Sequence, residues 1–162
     1  MGEFINNNSA ALVGLLVLGV GAMFAWDHRR SWRSLAVIAG VLLVLFAGYW
    51  TSRSGPSDVA SIVEVDAVLA AGAPVVLEVY SDNCTMCLAS KRSVDAMEEE
   101  LAGQATVLRI SADEAVGRAV ARRYGVGLLP TFIVFTPEGR EIHRESGFPD
   151  TDRLEAEALS AS

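Results

Sequence analysis

Cysteine is nearly absent from this chain of 162 residues. There are two, Cys84 and Cys87, and histidine is as scarce, at His28 and His143. Zinc takes four ligands, so one C-x-x-C with two distant histidines makes a poor zinc site. A c-type haem needs histidine directly after the second cysteine, and Leu88 stands there. Positive charge is also short: 13 Lys and Arg against 20 Asp and Glu, a net −7. Phosphate binding needs a basic face, so no nucleic-acid partner is expected. The first eight residues hold no Lys or Arg, which argues against a secretory signal peptide. No internal repeat or low-complexity tract is visible.

What is abundant is apolar sequence, at 51%. Much of it lies in two runs, Ala10 to Trp26 and Leu35 to Trp50, with no polar face and with Trp26, Trp32, Tyr49 and Trp50 near their ends. Each run reaches roughly 24–26 Å as a helix, slightly under the hydrocarbon core of a bilayer. The expectation is a two-helix transmembrane hairpin over residues 1–50. Its loop, 27–34, carries Arg29, Arg30 and Arg33 and is expected in the cytoplasm by the positive-inside rule. Everything after residue 50 is then extracytoplasmic, and the expected location is a bacterial inner membrane crossed twice. Small residues spaced by four, Gly21/Ala25 and Ala36/Gly40, suit close helix packing. Charge splits accordingly: residues 1–53 carry four Arg and two acids, +2, and residues 54–162 carry nine Lys or Arg and eighteen acids, −9.

Residues 51–58 read as a linker by composition, and 59–162 as one domain. The pattern there predicts a helix ending at Gly72, a strand at 75–80, a helix over 84–102 and a strand at 105–110. It continues with a helix from Asp113, as its cap, to Tyr124, strands at 131–135 and 141–145, and a helix at 150–160. Helices joining the early strands imply parallel pairing, with a hairpin added at one edge.

Cys84 falls where the first strand gives way to a helix. Backbone N–H groups and the helix dipole stabilise a thiolate at such a place. Cys87 lies about one turn on, within reach to close a small disulfide ring. Glu78, on the strand behind the pair, is a candidate proton acceptor, since burial raises a carboxyl pKa toward neutrality. An exposed edge carboxylate is the plain alternative.

From about Gly72 onward the chain resembles the thioredoxin family. The resemblance rests on the strand-to-helix Cys84-Thr85-Met86-Cys87, on Glu78 six residues before Cys84, and on Leu129-Pro130-Thr131 forty-six residues after it. Glu138-Gly139 and Gly147 are in register too. Asn83 replaces the usual tryptophan, Thr-Met the usual Gly-Pro, and no proline falls near Arg92. The resemblance implies an α/β, thioredoxin-like fold, a central mixed sheet flanked by helices. It implies a thiol–disulfide oxidoreductase with Cys84 as nucleophile and Cys87 resolving, with no cofactor or metal beyond that pair. Pro130 would form a cis-proline loop facing the cysteines, with Leu129, Thr131 and Met86 at the substrate and Leu128 and Phe148 as an apolar rim. Arg109 matches a position where the family carries a lysine near the carboxylate; the alternative is a surface cation. The expected partners are protein thiols and disulfides, a separate electron donor or acceptor, and the lipid bilayer. Reduction or exchange of extracytoplasmic disulfides, in cytochrome c maturation or redox homeostasis, is the function implied. The rival is a non-catalytic thioredoxin-fold scaffold with a structural disulfide.

Overall fold

A computed structural model describes residues 14–21 and 32–161. Helix α1 covers 14–21 and α2 covers Trp32–Ser52. They lie side by side: a Cβ built on Gly21 meets Ile38 Cγ2 at 4.0 Å. Among the described residues no helix is long and apolar enough to cross a membrane. α2 has 21 residues, but its ends carry Trp32, Arg33, Ser34, Thr51 and Ser52 and its apolar part is only Leu35 to Trp50. The expected hairpin is therefore not shown, and its loop, 27–34, falls mostly outside the described residues.

The domain beyond follows the expected order. It comprises α3 (Ile62–Leu69), β1 (Val75–Tyr80), α4 (Thr85–Glu100), β2 (Thr106–Ser111), α5 (Ala115–Tyr124), β3 (Thr131–Phe135), β4 (Glu141–Ser146) and α6 (Thr151–Ser160). The sheet order is β2-β1-β3-β4. β1 and β2 are parallel, with Glu78 opposite Arg109, while β3 runs antiparallel to both β1 and β4. The result is a mixed α/β sheet flanked by helices.

Every residue of β1 is buried, which explains its continuous apolar run rather than an alternating one. Val75, Leu77 and Val79 pack with Val65, Leu69, Val116 and Val120 of α3 and α5. On the other face Val76, Phe132 and Val134 pack with Val94, Met97 and Leu101 at α4 and with Leu154 and Ala158 of α6. β4 is an edge strand of exposed and half-buried residues, and its charged side chains discourage strand addition.

One local expectation is corrected. Asp113 does not cap α5; Glu114 holds the cap position without a side-chain bond. Both Asp113 carboxylate oxygens instead accept from the Ser81 hydroxyl, at 2.9 Å each. A buried hydroxyl needs a partner, and a strong acceptor in reach supplies it. The segment read as a linker, 51–58, lies against the domain. Residues 51–52 belong to α2, and the rest is strapped along the open edge of β2. Asp58 exchanges bonds with Arg109, its N–H donating to the Arg109 carbonyl (3.0 Å) and its carboxylate accepting from the Arg109 N–H (2.6 Å). Ser57 Oγ accepts from the Ser111 N–H, and the Tyr80 hydroxyl donates to the Gly55 carbonyl at 2.7 Å. The strap thus satisfies an edge that would otherwise present unpaired backbone groups.

Candidate functional site

α4 starts at the top of β1, and its cap is Cys84 itself, in extended backbone conformation (φ −98°, ψ 115°). The Cys84 sulfur takes the place of the usual Ser or Asp oxygen and accepts from the Cys87 N–H at 3.4 Å. The Ser81 carbonyl receives the Cys84 N–H at 3.1 Å. Both cysteines are buried thiols.

Their protonation is driven apart. Cys84 is lowered from 9.0 to about 6, chiefly by a hydrogen bond from the Cys87 side chain, against burial, and with help from the Cys87 and Met86 N–H groups. The Cys87 thiol is pushed up far above the usual cysteine range by that same bond and then by burial. One sulfur is held as an anion and the other holds the proton. This is the asymmetry that nucleophile and resolving thiol require.

Glu78 is buried, at 1% exposure, so the exposed-edge alternative does not apply. Burial pushes its carboxyl up, and the Arg109 guanidinium offsets part of that rise. Arg109 Nε donates to Glu78 Oε2 at 2.8 Å. The same guanidinium donates to Asp95 (2.8 Å) and to Ser54 Oγ (3.1 Å). Arg109 is therefore no surface cation but the centre of a network joining β1, α4 and the strap. The Glu78 charge also bears on the Cys87 thiol and helps to hold it protonated.

The Leu129–Pro130 peptide bond is cis. Leu129 is buried, and its carbonyl lies 3.5 Å from the Cys84 sulfur, which donates to it as a thiol. A thiolate has no proton to give, so ionisation of Cys84 ends that contact. Thr131 is buried too; its hydroxyl donates to the Leu128 carbonyl at 2.6 Å and lies 2.7 Å from the Ser146 hydroxyl. Half-buried Met86 approaches Gly147, where an added Cβ would meet its sulfur at 3.7 Å. Leu128 and Phe148 are exposed.

Cys84, Cys87, Leu129 and Met86 thus gather at one end of the sheet, and Glu78 with Arg109 lies below them in β1 and β2. Sequence reasoning missed Ser81 and Asp82 and read Asp113 only as a helix cap. Their partners are 28 to 32 residues away along the chain, so no local pattern could reveal them. Among the described residues no group of three His, Cys, Asp or Glu side chains is placed to hold a metal.

Comparison with known proteins agrees with this geometry. A family model for the thioredoxin-like domain matches residues 63–161. A thioredoxin mutant from Halobacterium salinarum is 29% identical, covering 64% of this chain and 87% of that one, with a TM-score of 0.55. Fasciola hepatica thioredoxin, at 21% identity, covers 62% and 93% of the two chains with a TM-score of 0.54 and supports the fold. Chloroplastic thioredoxin z, at 18% identity, covers 62% and 89%, also with a TM-score of 0.54. Comparison with curated proteins gives no match.

Proposed function

This chain belongs to the thioredoxin-like domain family, and on that premise we propose that it is a thiol–disulfide oxidoreductase tethered to a membrane by its N-terminal helices. The observation that carries the chemistry is the Cys84 sulfur at the cap of α4, accepting from the Cys87 N–H at 3.4 Å beside the cis Leu129–Pro130 bond, which lowers the Cys84 pKa while that of Cys87 is raised. A thiolate attacks a disulfide, whereas a neutral thiol barely does.

In the forward direction the Cys84 thiolate attacks one sulfur of a partner disulfide. The partner's S–S bond breaks, its other sulfur leaves as a thiolate, and a mixed disulfide to Cys84 forms. Capture removes the negative charge beside Cys87, and with it the main force holding the Cys87 proton. Glu78 takes that proton, the Cys87 thiolate attacks Cys84 Sγ, and the second partner sulfur departs. Two electrons have passed to the partner, and the protein is left with a Cys84–Cys87 disulfide. The cis-Pro130 loop lies beside Cys84, with Leu129, Thr131 and Met86 as the docking residues for an extended partner segment. A separate electron donor must return the two electrons, since neither apolar run contains cysteine.

The tether is supported by exposed apolar side chains along α1 and α2, among them Leu15, Leu16, Leu43, Val44 and Phe46. A contiguous apolar surface of this kind needs a partner or a bilayer. With the Arg29, Arg30 and Arg33 loop inside, the domain works outside a bacterial inner membrane, reducing or exchanging disulfides of extracytoplasmic proteins.

The test is trapping. Cys87→Ser should accumulate mixed disulfides through Cys84, releasable by dithiothreitol, while Cys84→Ser should capture nothing and lose insulin reduction. Equal capture by both variants, or capture by neither, would refute the assignment of roles.

A further inference from the structure

One guanidinium below the cysteines serves two carboxylates. Arg109 Nε donates to Glu78 Oε2 and Nη1 to Asp95 Oδ1, each at 2.8 Å, while Nη2 donates to Ser54 Oγ at 3.1 Å. Glu98 Oε2 lies farther from Nη1, at 3.8 Å. Asp95 is on α4, about two turns beyond Cys87. The two acids differ in setting: the Glu78 side chain is 1% exposed and that of Asp95 38%. Lys91, one turn back on α4, gives Asp95 a second charged bond.

That difference decides which acid takes a proton. Burial raises the Glu78 carboxyl, Arg109 lowers it, and the charges of Asp95 and Asp58 raise it again. Burial raises Asp95 too, but the bonds from Lys91 and Arg109 outweigh it and hold Asp95 below the usual carboxylate range. Asp95 is therefore already an anion where Glu78 titrates. Asp58 is bound to the Arg109 backbone N–H and does not share the guanidinium. The other titratable groups facing Glu78 are Tyr80 and Cys87, both shifted upward and neutral in the reduced protein.

A carboxylate alone with a guanidinium has its pKa pulled down by about 1–3 units. Such an acid stays ionised and is a weak base, whereas a proton acceptor works best with its pKa near the working pH. A second anion on the same cation cancels part of the cation's field at Glu78.

We propose that Asp95 is a positioning residue for proton transfer from Cys87: by sharing Arg109 it keeps Glu78 a competent base. It acts through the guanidinium and through its own charge, from a different element than either member of the Glu78–Arg109 pair. This inference rests on Glu78 taking the Cys87 proton.

The test uses the full chain, reduced, with Asp95→Asn, Asp95→Glu and Glu78→Gln. Asn keeps an oxygen for Arg109 Nη1 but loses the charge, and the position is exposed enough to accept it. Dithiobis(nitrobenzoate) serves as the partner disulfide. One coloured thiolate leaves when Cys84 captures the reagent and a second when Cys87 resolves the mixed disulfide, so the second phase reads resolution alone. Its rate is followed from acid to alkaline pH. The midpoint of the profile should fall by about half a unit to one unit in Asp95→Asn. Asp95→Glu should return it toward the original value, and Glu78→Gln should erase it, leaving only a steady rise with hydroxide. A purely structural Asp95 would change the plateau rate and leave the midpoint in place. That result, with the inflection lost in Glu78→Gln, sinks the role of Asp95 alone. An inflection that survives Glu78→Gln sinks Glu78 as the acceptor and this inference with it.

Discussion

Replacing Cys87 by alanine should raise the ionisation midpoint of Cys84 from about 6 to about 7–8. The Cys84 anion is held by the Cys87 thiol first, and then by the N–H groups of Cys87 and Met86. Alanine removes the first and leaves both backbone donors in place. A hydrogen bond to a charged group contributes about 1.5–3 kcal/mol, and about 1.4 kcal/mol corresponds to a tenfold change in ionisation. At pH 6.5 the thiolate fraction should fall from about three-quarters to about a quarter or less. Cys87→Ser keeps a hydroxyl donor at the same place, so its midpoint should stay nearer 6. Thiolate absorbance in the ultraviolet reads this without requiring access to the buried sulfur. In the variants Cys84 is the only thiol left to titrate. If the Ala and Ser variants titrate together with the unaltered protein, the backbone N–H groups alone hold the anion and the side-chain argument fails. The sign for stability follows. The Cys84 pKa is lowered on folding, so its contribution is complete above the unfolded value of 9.0 and is lost as pH falls through about 6. The reduced protein should therefore gain stability between those limits, a gain that Cys84→Ala abolishes in pH-dependent melting.

Two other outcomes are expected. Glu78→Gln should slow release of a trapped mixed disulfide by about a hundredfold at neutral pH, with the difference vanishing at high pH where hydroxide deprotonates Cys87; parallel pH–rate profiles would remove Glu78 from the mechanism. Gly117→Ala should destabilise the fold by about 3 kcal/mol or more, because its Cβ would lie 1.9 Å from the Ser111 carbonyl oxygen. Urea unfolding measures this, and an unchanged midpoint would show that α5 can back away from β2.

The sequence by itself determined the elements and the chemistry carried by neighbours in the chain. β1 is legible because its residues are all apolar or β-branched apart from Glu78, as a strand covered on both faces must be. The end of α5 is legible because Gly125 adopts a left-handed cap (φ 65°) that other residues resist. The pairing of Cys84 with Cys87 needs only one helical turn. Tertiary structure decided whatever depends on burial and on distant partners. Spacing placed Glu78 behind the cysteines, but only the covered sheet and Arg109 opposite it make it a buried, paired carboxylate. Asp113 looked like a helix cap because caps are read from the adjacent helix, yet Ser81, 32 residues earlier, claims it. Residues 51–58 read as a linker because Ser, Gly and Pro mark turns. Their backbone and side chains found the open edge of β2, and composition carries no trace of an edge that exists only once the sheet has formed.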